Sequence, residues 1–250
     1  DTSNVTNMSG MFYASGFNQP IGAWDVSNVL TMSGMFRFAI FFNQYIGDWD
    51  VSSVTNMGQM LGYTAFNQDI GNWDVSNVTT MEAMFQGAGS FNQDISEWNV
   101  TNVTNMGGMF EWATEFNQDI GNWTVSNVTN MQSMFKDHFS FNQDISEWNV
   151  SNVTNMTTMF IRATAFNQDI GAWEVSNVAN MNAMLNNSGI SIANYDAILQ
   201  GWAAQTVQNS ISLGAGGLFY CNAEAERQSL IDNFGWTIEG DAIDPDCSPI

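Results

Sequence analysis

Residues 91–110 read Phe-Asn-Gln-Asp-Ile-Ser-Glu-Trp-Asn-Val-Thr-Asn-Val-Thr-Asn-Met-Gly-Gly-Met-Phe, and this stretch returns with few changes along most of the chain. The Phe-Asn-Gln triplet occurs seven times at intervals of 25 residues, with one interval of 24. All 16 methionines fall into eight Met-x-x-Met pairs. A fixed period of this length is typical of a solenoid, in which each unit buries its apolar side against its neighbours. The sequence therefore predicts a repeat solenoid over residues 1–185.

Each unit combines two apolar patterns. Trp98 and Val100 alternate with polar residues, which predicts a short strand with both side chains inward. Val103, Met106 and Phe110 follow at spacings of three and four, which predicts a short helix or 3₁₀ turn. Stacked units would then form an α/β solenoid, leucine-rich-repeat-like, with a parallel β-sheet on one face and short helices or 3₁₀ turns on the other. The tryptophan and methionine columns are predicted to fill the core. The repeated Asn-Gln pair is predicted to form a stacked amide ladder.

Residues 186–250 have a different composition and are predicted to be a C-terminal α+β cap. The apolar spacing favours helices over about 192–204 and 223–234, with a weak strand in 207–213 and a last strand at 236–239. Cys221 and Cys247 are the only cysteines, so we expect one disulfide in this segment and an oxidising compartment. Terminal units of a solenoid must cover its open core edge.

The charge and residue types limit the function. Twenty-five acidic residues oppose four basic ones, for a net charge of −21, which repels nucleic acid and anionic membranes. No apolar run is long enough to span a membrane. A single histidine and no Ser/His/Asp or metal-ligand grouping predict that the chain is not an enzyme. The chain opens inside a repeat, so we expect a piece of a longer protein whose N-terminal edge is uncapped and able to self-associate.

The repeated unit Phe-Asn-Gln-Asp-Ile-x-x-Trp-Asp/Asn-Val-Ser-Asn-Val-Thr-Asn-Met-x-x-Met-Phe resembles that of the BspA-like leucine-rich-repeat surface proteins. This repeat family was first catalogued as a mycoplasma domain of unknown function and is also abundant in Bacteroidetes. The resemblance covers about residues 1–185, and the tail with Tyr195–Gln205 resembles the segment that follows these repeats in secreted Bacteroidetes proteins. It implies a secreted or cell-surface bacterial protein that adheres to host or environmental surfaces. Trp, Val and Met stand here where leucine is usual, and the family supplies no catalytic motif.

The predicted sheet face offers one candidate binding surface, an outward strip of polar positions around each Trp-x-Val. Its candidate ligand-binding residues are Asp25, Asp48, Asp50, Asp74, Glu97, Asn99, Glu147 and Glu174. Equivalent carboxylates about 4.8 Å apart on adjacent units would repel each other unless a cation bridges them. The densest group, Asp48, Asp50 and Asp74, is therefore a weak calcium candidate, although no calcium-loop motif is present. No other cofactor is expected.

A second acidic column follows the glutamine of each unit, at Asp69, Asp94, Asp119, Asp144 and Asp169. We favour turn capping for it, because aspartate often accepts hydrogen bonds from nearby backbone N–H groups. Calcium binding remains the alternative.

The stretch that varies most between units offers the other candidate surface. It contains three of the four basic residues, the only histidine, and aromatic residues such as Tyr63 and Trp112. These aromatics suit stacking on sugars or on peptide side chains. The alternative, which we favour on frequency, is that they pack into the core.

Three functions remain open. The first is a binding or adhesion module for an extracellular glycan or protein, acting through the polar strip or the variable edge. The second is a structural spacer without a ligand of its own. The third is ice or crystal-surface binding through the regular serine column, which the flanking carboxylates would disturb.

Overall fold

The structure is a computed structural model and describes residues 1–247. Along residues 1–185, equivalent residues of successive units are joined in parallel by hydrogen bonds. Thr104 donates its backbone N–H to Thr79 O of the preceding unit over 2.9 Å, and Met106 donates to Asn130 O of the next over 3.0 Å. One residue in each unit forms a parallel β-bridge with its equivalents, namely Asn7, Thr31, Asn56, Thr80, Asn105, Asn130, Asn155 and Asn180. This register is compatible with a repeat fold.

The predicted continuous sheet through the tryptophan and valine positions is wrong. The backbone N–H of Trp98 donates to Ile95 O over 3.2 Å, and the backbone N–H of Val103 donates to Val100 O over 2.9 Å. Trp98 therefore ends one tight turn, and Val100 begins the next. The bridging residue is Asn105, further along the unit. Three residues between two turns are too few for a ladder, although their side chains still alternate between the interior and solvent.

The predicted helix over the Met-x-x-Met pairs is also wrong, because the spacing of three comes from consecutive turns. Met109 donates to Met106 O over 3.1 Å, with Gly108 between them at φ 63°. Two further turns follow: Glu111 donates to Gly108 O over 3.1 Å, and Ala113 donates to Phe110 O over 3.0 Å, with Trp112 at φ 58°. A positive φ in the third position is the mark of a type II turn and is incompatible with a right-handed helix.

Some backbone N–H groups in this segment donate to the next unit, and others close turns within their own unit. Gly108, Phe110 and Trp112 donate N–H groups to Gln132, Met134 and Lys136 of the next unit over 2.7, 3.0 and 3.0 Å. Met109 and Ala113 instead donate within their own unit. Non-glycine residues such as Ala83 and Ser133 also adopt φ values of 52° and 56°. The hydrogen bonds on both sides hold that unfavourable backbone in place.

The predicted core columns are confirmed. From Ile21 onward, the repeated Ile and Val positions, the tryptophans from Trp49, the paired methionines from Met32 and the phenylalanines from Phe36 are at most 4 % exposed at their repeated positions. The first unit is less covered: Phe12, Phe17 and Trp24 are partly buried, and Met11 is 52 % exposed. Each buried indole also donates to an isoleucine carbonyl of the preceding unit, as Trp123 Nε1 does to Ile95 O over 3.1 Å. The core is therefore fixed in register as well as packed.

The predicted amide ladder is confirmed as well. Asn92 Oδ1 accepts the backbone N–H of Asn117 over 3.0 Å and the side-chain N–H of Gln118 over 2.8 Å. The same contacts recur from Asn18 to Asn167. A second ladder runs through Asn102, whose Nδ2 donates to Ser76 O over 2.7 Å.

The helices and strands of the described residues lie between 192 and 243. They are α1 (Ile192–Ala203), β1 (Ser212–Gly214), β2 (Phe219–Tyr220), α2 (Glu224–Phe234), β3 (Thr237–Glu239) and β4 (Ala242–Ile243). Strand β1 pairs in parallel with β3, and β2 pairs in parallel with β4. Both predicted helices and the last predicted strand are thus found within a residue or two. The predicted strand in 207–213 is displaced to β1, and the last three residues of the predicted cap lie outside the described part.

The C-terminal segment continues the hydrogen-bond columns of the units. Asn194, in α1, donates to Asn167 Oδ1 over 2.9 Å, in the place of a repeated glutamine. Trp202 donates to Ile170 O over 3.3 Å, as the repeated tryptophans do. The disulfide Cys221–Cys247 is present, with 5.5 Å between the Cα atoms.

His138 is the one buried imidazole in the stack. It stands where other units have Ala88, Ala113 or Ala163, and it is 0 % exposed. Its Nδ1 accepts the N–H of Phe141 over 3.1 Å, a role that the alanine carbonyl plays in those units. Its Nε2 is buried without a partner, and burial lowers its pKa from 6.5 to about 4.

This shift predicts a loss of stability in mild acid. The unfolded chain takes up a proton at His138 as the pH falls through 6.5, whereas the folded chain does so only near 4. The His138 contribution is therefore complete above pH 6.5 and falls by about 3 kcal/mol toward pH 4. Urea unfolding at several pH values should show this slope, and His138→Ala should remove it. The further loss at lower pH, as turn-capping aspartates whose pKa is lowered by their serine hydrogen bonds become protonated, should remain in the variant; these are Asp25, Asp74, Asp94 and Asp144. Equal slopes in both proteins between pH 4 and 6.5 would contradict the assignment.

Candidate functional site

The predicted polar strip is a series of capped turns. Asp25, Asp50 and Asp74 each accept, through Oδ1, the backbone N–H two residues later over 3.0 to 3.1 Å. The pKa of Asp25 is lowered mainly by the hydrogen bond from the Ser27 hydroxyl and, to a smaller extent, by that from the Ser27 backbone N–H. Ser76 lowers the pKa of Asp74 in the same way. These carboxylates remain exposed, but one oxygen of each stabilises its own turn.

The remaining residues of the polar strip make separate local contacts and do not converge on one another. Asn99 and Glu174 cap turns like the aspartates, and Asp48 accepts the Tyr45 hydroxyl over 2.9 Å. Glu97 lines a shallow depression with Asp69 and Asp94, and Glu147 is simply exposed. Within residues 1–247, no three His, Cys, Asp or Glu side chains are grouped so that they could hold a metal ion. The carboxylates of Asp48, Asp50 and Asp74 are therefore not brought together as a group of three metal ligands.

The second acidic column caps turns, as predicted. Asp69 Oδ1 accepts the N–H of Gly71 over 2.9 Å, and Asp94 Oδ1 accepts that of Ser96 over 2.9 Å. Hydrogen bonds from the backbone and hydroxyl of Ser96 lower the pKa of Asp94. Tyr45 interrupts the column in its unit.

The variable edge contains a cleft of about 250 Å³. We call it the polar cleft, and its lining residues are Arg37, Gln59, Glu82, Ala83, Gln86, Gly107, Gly108, Glu111, Asn130, Gln132 and Ser133. None of these residues was among the predicted ligand-binding residues. Arg37, Gln86 and Glu111 belong to the variable stretch, which was the one signal for them. The other lining residues lie within or beside the Met-x-x-Met pairs, and the turns that bring these units together could not be inferred from composition.

The floor and walls of the polar cleft follow from the residue types. Ala83, Gly107 and Gly108 carry little or no side chain, so a depression opens between longer neighbours. Gly62 stands in the column of Arg37 and Gln86, and its small size leaves the Arg37 guanidinium free to reach Gln86 Oε1 over 3.5 Å. The wall of the cleft is therefore formed by residues that differ between units at one repeated position.

Polar contacts across units fix the wall. Gln86 Nε2 donates to Glu111 Oε2 over 2.6 Å, and Lys136 Nζ donates to Glu111 Oε1 over 2.7 Å. Arg37 Nη1 also donates to Gln59 Oε1. Glu111 is 7 % exposed, so the lysine neutralises a carboxylate that would be costly to bury alone. These contacts connect the wall residues of successive units to one another.

An aromatic row, composed of Tyr13, Phe38, Tyr63 and Trp112, runs along the same edge. The Phe38 and Tyr63 rings stack with centroids 4.7 Å apart, and the Tyr63 and Trp112 rings meet edge-on at 6.2 Å. Tyr63 reaches Trp112 across the intervening unit because Gly87 lies beneath its ring. Tyr13 and Trp112 are 56 % and 42 % exposed, so they do not pack into the core.

Charged contacts border the aromatic row. Lys136 Nζ lies 5.4 Å from the centroid of the Trp112 ring, and Asp137 forms an ion pair with Arg162. The Arg162 hydrogen bond is the main cause that lowers the pKa of Asp137. Tyr63 and Trp112 are the two predicted site residues that the structure brings together, and they lie beside the polar cleft.

Neither helix of the described residues has the length and apolar character needed to cross a membrane. A search of curated proteins and a search of solved structures gave no match to this chain. A model of the family described as Mycoplasma protein of unknown function, DUF285, matches residues 1–96, 42–137 and 89–202 in overlapping segments. These segments together span residues 1–202 of the 250. The chain therefore belongs to this repeat family of unknown function.

Proposed function

We propose that this chain is a binding module of a secreted or cell-surface protein of the BspA-like type, and that it holds a glycan in the polar cleft and against the aromatic row. Residues 1–185 would stack as a solenoid, and residues 186–250 would cover its end. The disulfide Cys221–Cys247 is compatible with an extracellular location.

One observation carries the proposal: side chains that do not repeat converge on one place. Much of the remaining surface is periodic, because nearly identical units produce it. At the polar cleft, Arg37, Gln86 and Glu111 occupy equivalent positions in different units and form one hydrogen-bonded wall. A spacer needs only the periodic contacts that stack its units. Selection for a ligand explains why the departures from the repeat contact one another.

The chemistry of the polar cleft fits a sugar. Carboxylate, amide and guanidinium groups line it, and they supply both acceptors and donors for vicinal hydroxyls. Exposed aromatic faces next to such groups suit stacking on the apolar face of a pyranose ring. The rings of Tyr63 and Trp112 are fixed by neighbours, so less conformational entropy is lost on binding.

A glycan array with the purified chain tests the proposal. We expect saturable binding that Trp112→Ala and Gln132→Ala each weaken at least tenfold, because each removes a direct contact (about 1.4 kcal/mol for each factor of ten). Phe139→Ala is the matched control, since this aromatic residue is 53 % exposed on the same edge but does not line the polar cleft. The triple variant Asp48→Asn/Asp50→Asn/Asp74→Asn should also bind normally. Loss of binding in the triple variant alone would place the site on the strip, and no saturable binding to any glycan would reject the proposal in favour of a spacer.

A further inference from the structure

Arg37 differs from the other three basic residues of the chain. Lys136, Arg162 and Arg227 each form an ion pair with a carboxylate. Within residues 1–247, Arg37 has no carboxylate within ion-pair distance. With a net charge of −21, carboxylates are abundant, so an arginine without one is not explained by a shortage of partners.

The surroundings of Arg37 hold the guanidinium in position and leave its charge unneutralised. It donates to the amide oxygens of Gln59 and Gln86. Its guanidinium carbon lies 5.0 Å from the centroid of the Phe38 ring. Its Nε is buried without a hydrogen-bond partner. Neutral amides orient a cation but do not cancel its charge, so the guanidinium is oriented and still lacks an anion.

The rest of the polar cleft presents hydroxyl acceptors. Glu82 accepts one hydrogen bond, from Asn105 Nδ2 over 3.2 Å, and Gln132 Oε1 accepts one from Asn155 Nδ2 over 3.1 Å. Each oxygen has remaining acceptor capacity for a sugar hydroxyl. Glu111 is neutralised by Lys136, so Glu82 is the main repulsive charge within the cleft.

We propose that the ligand of the polar cleft is an acidic glycan whose carboxylate pairs with Arg37 while its ring hydroxyls contact Glu82 and Gln132. This inference rests on the proposed function and names the ligand class of the same site. Hexuronates combine a carboxylate with vicinal hydroxyls on one ring. A guanidinium recognises a carboxylate through two parallel hydrogen bonds, which a neutral hexose does not offer. The net negative charge of the chain acts against long polyanions, but at physiological salt that repulsion is screened beyond about 8 Å, so short oligosaccharides are the expected ligands.

Paired oligosaccharides test this assignment. Tetramers of galacturonate, and of alternating glucuronate and N-acetylglucosamine, are titrated in physiological salt as free acids and as methyl esters, which keep the shape and remove the charge. We expect at least one free acid to bind at least tenfold more tightly than its ester. Arg37→Met should abolish that preference, because it keeps the aliphatic stem and removes the guanidinium. Arg162→Met is the matched control and should keep the preference.

The outcomes separate the two proposals. Equal binding of acid and ester, or an unchanged preference in Arg37→Met, would overturn the acidic ligand. If a neutral glycan still bound in a Trp112-dependent way, the proposed function would stand. Binding of a poly-glutamate peptide that depends on Arg37, without binding of any oligosaccharide, would assign the cleft to an acidic protein segment. No binding of any probe would reject both proposals.

Discussion

Replacing Trp123 by alanine is expected to lower the free energy of unfolding by about 4 kcal/mol, since truncating a buried tryptophan typically costs 3 to 5 kcal/mol. Trp123 is 4 % exposed and lies in a central unit. Its ring centroid lies 6.3 Å from that of Phe110. Its loss also removes the indole N–H that Ile95 O accepts over 3.1 Å, so that this buried carbonyl keeps only the backbone hydrogen bond from Trp98 over 3.2 Å. The surrounding residues belong to three stacked units and cannot close the cavity without breaking inter-unit hydrogen bonds.

Urea unfolding followed by far-UV circular dichroism measures this change without relying on tryptophan fluorescence. Trp112→Ala is the matched control, because Trp112 is 42 % exposed and its indole does not fill the core column. We expect a loss below about 1 kcal/mol for the control. Similar losses for the two variants would contradict the assignment of the tryptophan column to the core. A smaller slope of unfolding free energy against urea in Trp123→Ala would show that the stack now unfolds in parts.

The repeat and its core could be predicted because the sequence shows the period, and because large apolar residue types indicate which positions are buried. Seven tryptophans recur at one position, and a large apolar side chain at a repeated position has few places other than the interior. The amide ladder was predictable for the same reason, since Asn and Gln at a fixed period face one another when units stack. The C-terminal helices were predictable because residues 192–204 carry a helical spacing and Gly235 ends the second helix at φ 67°.

The backbone between the core positions could not be predicted. Alternation around Trp98 and a spacing of three between Met106 and Met109 have more than one structural cause. A strand and a helix give these patterns, and so do successive tight turns. What decides is the positive φ at positions held by Gly108 in one unit but by Ser133 and Thr158 in others. Neither of these two residues signals a left-handed conformation, so the signal is lost in most units.

The candidate site was only half predictable for a related reason. Trp112 and Tyr63 were identified from residue type. Arg37, Gln86 and Glu111 were not, because each is unremarkable within its own unit. Their contacts arise only when units 24 or 25 residues apart stack, and when Gly62 leaves space for Arg37 to reach beyond its immediate neighbour. A comparison of this repeated position across the units would have shown that Gly62 lies between Arg37 and Gln86.

Asp241→Ala is expected to destabilise the C-terminal segment by about 3 to 5 kcal/mol, because it breaks a buried ion pair from one side. The Asp241 side chain is 0 % exposed and accepts two hydrogen bonds from Arg227, each over 2.7 Å. It also accepts the hydroxyl of Tyr195 over 2.9 Å. Arg227 lies on α2 and Tyr195 on α1, so one carboxylate connects both helices to the chain after β3.

The groups left behind account for most of this cost. The Arg227 side chain is 19 % exposed and would lose its carboxylate, and Tyr195 is fully buried and would lose its acceptor. Burial is the largest cause that raises the pKa of Tyr195, so its hydroxyl cannot respond by ionising. The hydrogen bonds that Arg227 donates to Asp241 are the main cause that raises the pKa of Arg227. An arginine stays charged over the accessible pH range without such a partner as well, so the variant retains a guanidinium that has lost its carboxylate.

Comparing single and double replacements separates the penalty of an unpaired charge from the worth of the pair. Arg227→Met/Asp241→Leu removes both charges and fills similar volumes, so it should recover at least about 2 kcal/mol of the loss seen in Asp241→Ala. Tyr195→Phe should cost about 1 kcal/mol, since it removes one hydrogen bond and no charge. If the double variant were as unstable as Asp241→Ala, the loss would come from packing around residue 241 and not from the unpaired guanidinium.

Because Trp202 and Asn194 of α1 continue the hydrogen-bond columns of the repeats, we also expect Asp241→Ala to speed hydrogen exchange in the last unit, around Trp173, before the central units respond.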